Sequence, residues 1–330
     1  MCVKLGLFPD KIVMYHCPVC KTSLTDHGDL YSCSNPICQS PINDFPLVGG
    51  VPLLIPFGMD LCVFKSYQFT NHINFGSQAR AIPNVFSTLN SFLRRLLIGD
   101  NYVTRRNYKV LSSLLSAGSS RVLFIGGGTI GAGASEFYRD CEGKHIHIEA
   151  IDVFLSPNIQ AIADAHFLPY INNSFDLVVI QAVLEHVIDP QRVVDEISRV
   201  LIDDGVVYAE TPFMQTVHEG PYDFFRFTAS GHRWIFREFY EIDSGAQHGA
   251  FSSSLFIISH ALSGLLRTRY AGILLRIVFS RLAKILDYIT PAKFNSDVAC
   301  GNYFIGSKIE SPGEPRDASW IVSYYKGAQK

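Results

Sequence analysis

The chain has 330 residues, of which 48% are hydrophobic and 18% charged, with a formal net charge of −2. This length and composition predict one full α/β domain with smaller appendages, and the small net charge argues against a dedicated nucleic-acid binder. The first residues contain no secretory signal pattern, so we expect a cytoplasmic protein. Charged residues interrupt the apolar segments after residue 250, which argues against a membrane span.

Four of the eight cysteines lie within one short N-terminal stretch. Cys17 and Cys20 form one pair, Cys33 and Cys38 form a second pair, and twelve residues separate the two pairs. Four thiolates in this pattern are typical of a tetrahedral structural zinc site, which leaves no position for a catalytic water. The sequence therefore predicts a zinc ribbon over residues 1–56. Reduced cysteines without metal are the alternative.

The middle of the chain has the pattern of an α/β domain. Residues 57–115 have mixed composition and are predicted to be a connector with helices. Between residues 116 and 245, short β-branched runs alternate with helical patterns, as in a parallel sheet covered by helices. The predicted strands are 121–125, 147–151, 158–163, 175–180 and 206–210. Asp189 as cap and Pro190 at the first position predict a helix before the last strand, and Gly205 is expected to follow its end.

A glycine-rich sequence, GGGTIGAG, follows the first of these strands. Gly126, Gly128 and Gly131 would let the backbone turn tightly and approach a ligand at the carboxyl edge of the sheet. Asp152 ends the next strand, where its carboxylate can accept hydrogen bonds from both ribose hydroxyls of a nucleoside cofactor. The pattern fits S-adenosylmethionine or NAD, and a plain strand-to-helix turn is a third interpretation.

Over residues 120–240 the sequence resembles the class I S-adenosylmethionine-dependent methyltransferases, especially the type 11 group. The matching pieces are VLFIGGGTIGAG, EAIDV, IADAHFLPY, FDLVVIQAVLEHVIDP and RVLIDDGVVYAETPF. The resemblance implies a Rossmann-like sheet with helices on both faces and S-adenosylmethionine as the cofactor. It implies that Gly126 and Gly128 border the methionine part, Asp152 holds the ribose, and Asp164 with Ala165 lies near the adenine. The residues implied to line the cofactor and substrate cleft are Gln181, Glu185 and His186.

One position departs from this resemblance. The family usually has an acidic residue two positions before the first glycine, where this chain has Phe124. Because that acid commonly holds the amino group of the cofactor, either binding is weaker here or another polar group takes over this role. Phe124 also supports a different hypothesis, in which the protein is non-catalytic and binds a partner through its zinc ribbon.

The segment after the last predicted strand, residues 211–228, is rich in aromatic and ionisable side chains. It leaves the carboxyl edge of the sheet, where an acceptor must lie in line with the methyl group. His218 is the most suitable general base, with Glu219 and Asp223 as alternatives. Arg226 is expected to bind an anionic group of the acceptor, or else to form an ion pair with Asp223.

Residues 246–330 are predicted to be a helical C-terminal extension. Within it, a helix over 274–289 would have apolar residues such as Leu275 and Phe279 on one side, with Ser280 and Asp287 on the other. Such a helix either packs on the domain or, through residues 270–289, makes a peripheral contact with an anionic membrane. The sequence thus predicts methyl transfer to a hydroxyl of a small or glycan-like acceptor, lipid-linked if the membrane contact exists. An NAD-dependent oxidoreductase is the alternative enzyme.

Overall fold

The computed structural model describes residues 14–63, 101–131, 133–308 and 317–329. The strands in these residues are β1 (Thr25–Asp26), β2 (Leu30–Ser32), β3 (Asp44–Val48), β4 (Val51–Pro52), β5 (Arg121–Ile125), β6 (His147–Asp152), β7 (Ala161–Ile162), β8 (Phe175–Gln181), β9 (Leu201–Pro212), β10 (Tyr240–Ala246) and β11 (Gly301–Ser307). The helices are α1 (Tyr102–Leu114), α2 (Ala134–Gly143), α3 (Pro190–Val200), α4 (Ala229–Ile235), α5 (Ala250–Leu265), α6 (Arg269–Ile289), α7 (Ala292–Asp297) and α8 (Ala318–Ser323). Most of the predicted connector, residues 64–100, lies outside the described residues.

The main sheet has seven strands in the order β10, β11, β9, β8, β5, β6, β7. Five consecutive strands, from β9 to β7, are parallel, whereas β11 is antiparallel to both β9 and β10. Side chains alternate between the two faces: Leu123 and Ile125 belong to one hydrophobic core, and Val122 and Phe124 belong to the other. Helix α3 packs on the first face, and α1 and α2 pack on the second. This arrangement confirms the predicted Rossmann-like α/β fold.

Helix α3 begins as the sequence predicts but ends differently. The Asp189 side chain accepts a hydrogen bond of 3.1 Å from the backbone N–H of Arg192, and Pro190 occupies the first position. Gly205 does lie beyond the end of the helix, but it is not the stop signal that the sequence analysis expected, because the helix ends at Val200 and β9 begins directly at Leu201. Gly205 instead lies within β9 at an irregularity of the sheet, where its carbonyl accepts a hydrogen bond of 2.8 Å from the Lys308 backbone.

The sequence analysis overestimated one strand of the sheet and missed two others. The predicted strand 158–163 is reduced to β7, because Ser156 and Asn158 use their side chains to donate to the carbonyl of Gly128, at 2.6 and 3.3 Å. Strands β10 and β11 were not predicted at all. Strand β11 lies in the segment that was expected to be helical, and its insertion between β9 and β10 completes the sheet.

The small sheet of β1 to β4 packs directly on the main domain. Its core residues Tyr31 and Phe45 belong to the same hydrophobic core as helix α3. The Leu54 N–H donates to the carbonyl of Ile162 in β7 at 2.7 Å, and Lys21 Nζ lies 2.9 Å from the Glu196 carboxylate in α3. The N-terminal region and the main domain therefore share one continuous core.

The hairpin formed by α5 and α6 buries its small and polar residues and exposes its apolar ones. The buried residues are Ser252, Ser253 and Ser259 in α5, and Gly272, Ser280, Ala283 and Asp287 in α6. By contrast Leu274 is 62% exposed, Ile285 60% and Tyr288 90%. The helices approach closely because a Cβ at Gly272 would lie only 2.2 Å from the carbonyl oxygen of Ser259. Within the described residues, α6 therefore packs on α5 while several of its apolar side chains remain exposed, and Leu275 of the predicted apolar side is half-buried.

None of the described helices has the length and hydropathy of a membrane span.

Candidate functional site

A large cleft opens at the carboxyl ends of β5, β6, β8 and β9, with a volume of about 1310 Å³. Parallel strands of an open sheet place their following loops at this edge, which is where ligands bind in such folds. The cleft wall contains most of the residues that the sequence singled out. These are Gly126, Gly128, Gly131, Asp152, Asp164, Ala165, Gln181, Glu185, His186, His218 and Glu219.

The glycine loop lies against its neighbours without room for side chains. Gly126 has a φ of +80°, and a Cβ there would lie 2.3 Å from Cγ2 of Val183. A Cβ at Gly128 would lie 2.5 Å from Oδ2 of Asp152. The backbone N–H of Gly126 donates to the carbonyl of Ile151 at 2.9 Å, which fixes the loop on the end of β6. Glycine at these positions leaves the floor of the cleft as bare backbone.

Asp152 is held in place by the loops on both sides of it. Its Oδ2 accepts a hydrogen bond of 2.9 Å from the Gly128 N–H, and its Oδ1 accepts one of 3.3 Å from the Phe154 N–H. Asp164 also faces the cleft, and its Oδ1 accepts a hydrogen bond of 2.9 Å from the backbone of His166. Asp164 thus caps the short turn Ala165–Phe167, and both acids have fixed orientations.

Glu210 is a cleft residue that the sequence analysis missed. It lies in β9, is only 7% exposed, and accepts hydrogen bonds from Gln181 Nε2 at 2.6 Å and Thr104 Oγ1 at 2.7 Å, and from the hydroxyl of Tyr208. Burial raises the pKa of the Glu210 carboxyl, although these hydrogen bonds oppose the shift. An acid directly after the buried residues Val207, Tyr208 and Ala209 is the signal that could have revealed it.

Phe124, the residue at the usual acidic position, is packed as an aromatic core residue. It is 6% exposed, and its ring stacks on Tyr138 with centroids 4.8 Å apart. Both rings reach the cleft wall. The position therefore contributes apolar surface to the cleft and no charge.

Two loops bring Glu185, His186 and His218 together. Glu185 and His186 lie in the short turn Leu184–His186 after β8, and His218 lies in the loop after β9. The loop is anchored to the turn because the Phe224 N–H donates to the carbonyl of Glu185 at 2.8 Å. His186 Nε2 and His218 Nε2 are 3.2 Å apart, and Glu185 Oε1 is 3.6 Å from His218 Nε2. The Glu185 carboxylate raises the pKa of His218, and Asp223 adds to this effect.

Of the other residues predicted to bind the acceptor, Glu219 lies in the cleft wall, whereas Asp223 and Arg226 lie outside it. Glu219 is exposed at the cleft wall, where it precedes the turn Gly220–Tyr222. Asp223 and Arg226 are not part of that wall. They form a bidentate ion pair, in which Arg226 Nη2 lies 2.6 Å from Asp223 Oδ2, and Asp223 Oδ2 also accepts from the His218 N–H at 2.8 Å. This is the ion pair that the sequence analysis gave as the alternative role for Arg226.

The four cysteines predicted to bind zinc form one cluster. The sulfur atoms of Cys17 and Cys38 are 3.7 Å apart, those of Cys20 and Cys33 are 3.5 Å apart, and all four lie within 4.8 Å of one another. None of the four is in a disulfide. Tetrahedral zinc with Zn–S bonds of about 2.3 Å requires sulfur atoms at roughly such separations. The cluster therefore fits a structural zinc ion.

The chain has one family match and several structural neighbours among known proteins. Residues 128–209 match the family model Methyltransf_11, described as a methyltransferase domain. Phosphoethanolamine N-methyltransferase 2 of Haemonchus contortus, solved with S-adenosyl-L-methionine, is 19% identical over 66% of this chain and 56% of its own, with a TM-score of 0.43. A coclaurine N-methyltransferase structure is 12% identical over 63% of this chain and 72% of its own, with a TM-score of 0.40. A search of curated proteins found no match.

The family match covers the glycine loop from Gly128, the strand ending in Asp152, and the turn with Glu185 and His186. It supports S-adenosylmethionine over NAD as the cofactor. Residues 128–209 therefore carry a methyltransferase domain.

Proposed function

We propose that the protein transfers the methyl group of S-adenosylmethionine to a hydroxyl of a small or glycan-like, lipid-linked acceptor. The observation that carries this proposal is the cluster of Glu185, His186 and His218 in the cleft wall. A hydroxyl must lose its proton when its oxygen is methylated, and this cluster offers groups that can accept a proton or stabilise the resulting charge. An acceptor that is already a free amine has less need of such a cluster.

In this proposal the bare glycine backbone and Asp152 hold the cofactor, which supplies an electrophilic methyl group on a sulfonium. Asp152 binds the ribose hydroxyls, while Asp164 and Ala165 lie beside the adenine. Gln181 is fixed in the wall by its bond to Glu210 and by the hydroxyl of Tyr108. Phe124 has no negative charge, and in its place Glu210 supplies the negative charge that attracts the cationic cofactor. The non-catalytic hypothesis would leave this set of oriented polar groups without a use.

The lipid-linked nature of the acceptor is supported by the outward apolar side of the α5 and α6 hairpin. Leu274, Ile285 and Tyr288 are exposed there, and the basic residues Arg269 and Arg281 are exposed on the same helix. Exposed apolar and basic residues on one amphipathic element are typical of helices that lie on anionic membranes. We propose that this hairpin rests on such a surface and brings the cleft to a lipid-linked acceptor.

Labelled cofactor tests the acceptor. The full chain is incubated with cell extract and methyl-labelled S-adenosylmethionine, and the labelled product is identified by mass spectrometry. We expect the label as a methyl ether in the lipid-extractable fraction, with much less formed by the Asp152→Ala variant. Label on nitrogen would contradict the hydroxyl proposal. Label confined to water-soluble molecules would contradict the lipid-linked acceptor.

Vesicle flotation tests the membrane contact. We expect wild-type protein to float with vesicles that contain anionic phospholipid and to float less with neutral vesicles. A variant with Leu274 and Ile285 changed to Ser should lose flotation, because it removes exposed apolar side chains. Leu114→Ser is the matched control, since Leu114 is 53% exposed on α1, outside the hairpin. Equal flotation of both variants would refute the assignment to the hairpin.

A further inference from the structure

The cluster of Glu185, His186 and His218 has the composition and geometry of a metal site distinct from the cysteine cluster. Its three facing atoms are His186 Nε2, His218 Nε2 and Glu185 Oε1, separated by 3.2, 3.6 and 3.8 Å. Three atoms at these separations can all lie about 2.1 Å from one point, which is the usual Zn–N and Zn–O distance. The geometry thus leaves a position for one ion among the three side chains.

Glu185 is the strongest sign that a cation belongs there. Its side chain is fully buried, yet neither carboxylate oxygen has a hydrogen-bond partner in the described structure. Because a buried carboxylate without a partner is costly, such groups in proteins are normally paired or coordinate a metal. The imidazole nitrogens at 3.6 and 3.8 Å are beyond ordinary hydrogen-bond distance, but an ion between the groups would satisfy the carboxylate.

The two histidines are oriented as metal ligands usually are. His186 Nδ1 lies 2.7 Å from the carbonyl of Tyr222, so this nitrogen donates its proton and leaves the Nε2 lone pair free. His218 Nδ1 lies 3.6 Å from Asp223 Oδ2. The two Nε2 atoms face each other at 3.2 Å, so a metal ion or a shared proton must lie between them. A carbonyl behind a ligating histidine, as Tyr222 provides for His186, is the common outer-shell arrangement.

We propose that Glu185, His186 and His218 bind a divalent zinc ion at the acceptor end of the cleft. Two histidines and one carboxylate form a known ligand set for zinc sites that keep a position open for water or substrate. The open position here faces the cleft, since all three side chains belong to its wall. Within the described residues, this is a second zinc site beside the closed four-cysteine cluster.

The role of the zinc site rests on the proposed function. In that function the ion would activate the acceptor hydroxyl for methyl transfer. A cation lowers the pKa of a hydroxyl that coordinates it. The acceptor hydroxyl would lose its proton to solvent, its oxygen would form a bond to the methyl carbon, and the electron pair of the C–S bond would pass to sulfur. In this arrangement His218 is a ligand and not the proton acceptor.

Zinc content of the full chain tests the site without cofactor or acceptor. Wild-type and variant proteins are dialysed to equilibrium against low-micromolar Zn²⁺, and bound zinc is measured by elemental analysis. We expect Glu185→Gln and His186→Ala each to bind one zinc ion fewer per chain than wild type. His260→Ala is the matched control, because His260 is exposed on α5 outside the cluster, and it should bind as much zinc as wild type. Circular dichroism checks that each variant is folded.

Cys20→Ser separates the two zinc sites. It should lose the ribbon zinc and keep the ion that Glu185→Gln loses. Zinc content that is equal in wild type and Glu185→Gln overturns the metal proposal, whatever the labelled product proves to be. A methyl label on nitrogen, found together with zinc loss in Glu185→Gln, overturns the proposed function and leaves the zinc site standing.

Discussion

Asp152 is the residue whose proposed role can be tested most directly. Its carboxylate is fixed by backbone donors from Gly128 and Phe154, and it faces the cleft. We expect Asp152→Ala to weaken S-adenosylmethionine binding by about 1.5–3 kcal/mol for each charge-assisted ribose hydrogen bond lost. Calorimetric titration of the folded variant measures this change.

The control for Asp152 is an aspartate at the opposite edge of the same sheet. Asp176 accepts a hydrogen bond of 2.7 Å from the Arg121 N–H at the start of β5, far along the strands from the cleft. Asp176→Ala should leave cofactor affinity unchanged. An Asp152→Ala protein that binds the cofactor as tightly as wild type would exclude the ribose role.

We expect cofactor binding to depend on pH through the ionisation of Glu210. Its pKa is raised by burial in the cleft wall, so the group becomes protonated at a higher pH than an exposed glutamate. The ionised form attracts the cationic cofactor, so affinity should fall as pH falls through this raised pKa. Calorimetry over a series of acidic pH values should show this loss in wild type and much less of it in Glu210→Gln. Identical pH profiles for the two proteins would exclude Glu210.

Single site residues could be predicted from the sequence where the local backbone conformation restricts the residue type. Gly126 and Gly128 could be identified from the glycine-rich run after the first predicted strand, and the structure explains the run because their backbone approaches Val183 and Asp152 too closely for a side chain. The meeting of Glu185 with His218 was not identified, because it depends on how two separate loops fold over the sheet edge. Sequence spacing carries no information about such a contact.

At the level of elements, helix starts were predictable and strand pairing was not. Helix α3 has a local capping residue and a proline at its first position, so its start is specified within four residues. Strand β11 enters the sheet beside β9 from almost a hundred positions along the chain. The α6 helix was correctly expected to be amphipathic, but its periodicity could not indicate which side faces outward.

We expect Asp287 to stabilise the helical hairpin of α5 and α6. Its carboxylate lies in α6 and accepts hydrogen bonds from the backbone of Gly249 at 3.1 Å and Phe251 at 2.8 Å, at the start of α5. Asp287→Ala should lower the free energy of unfolding by about 1–2 kcal/mol, because buried N–H groups of the first turn lose their acceptor. Urea unfolding measures the change. Arg281→Ala, exposed on the same helix, should differ from wild type by less than about 0.5 kcal/mol.

At the scale of the whole molecule, the N-terminal region is built into the methyltransferase domain. Tyr31 and Phe45 share a hydrophobic core with α3, and Lys21 donates hydrogen bonds to both the Glu196 carboxylate and the Leu168 carbonyl. The composition of the cysteine segment predicted its metal chemistry, but nothing in it predicted this packing. The division of the chain into a ribbon and a separate domain stays a prediction. The core that the two regions share means that the stability of one depends on the other.

We propose that the four-cysteine cluster holds a zinc ion, whose loss should destabilise the whole protein and not the ribbon alone. In Cys20→Ser the four-sulfur cluster loses a ligand, the strands of the small sheet lose their metal, and the core they share with α3 is left partly open. We expect one calorimetric transition with its midpoint lowered by about 5–15 °C, since each kcal/mol shifts the midpoint by roughly 2–4 °C in domains of about this size. Cys62→Ser, outside the cluster, should leave the midpoint nearly unchanged. Two separate transitions in the wild type, with only the lower one removed by Cys20→Ser, would mean that the ribbon folds independently of the domain.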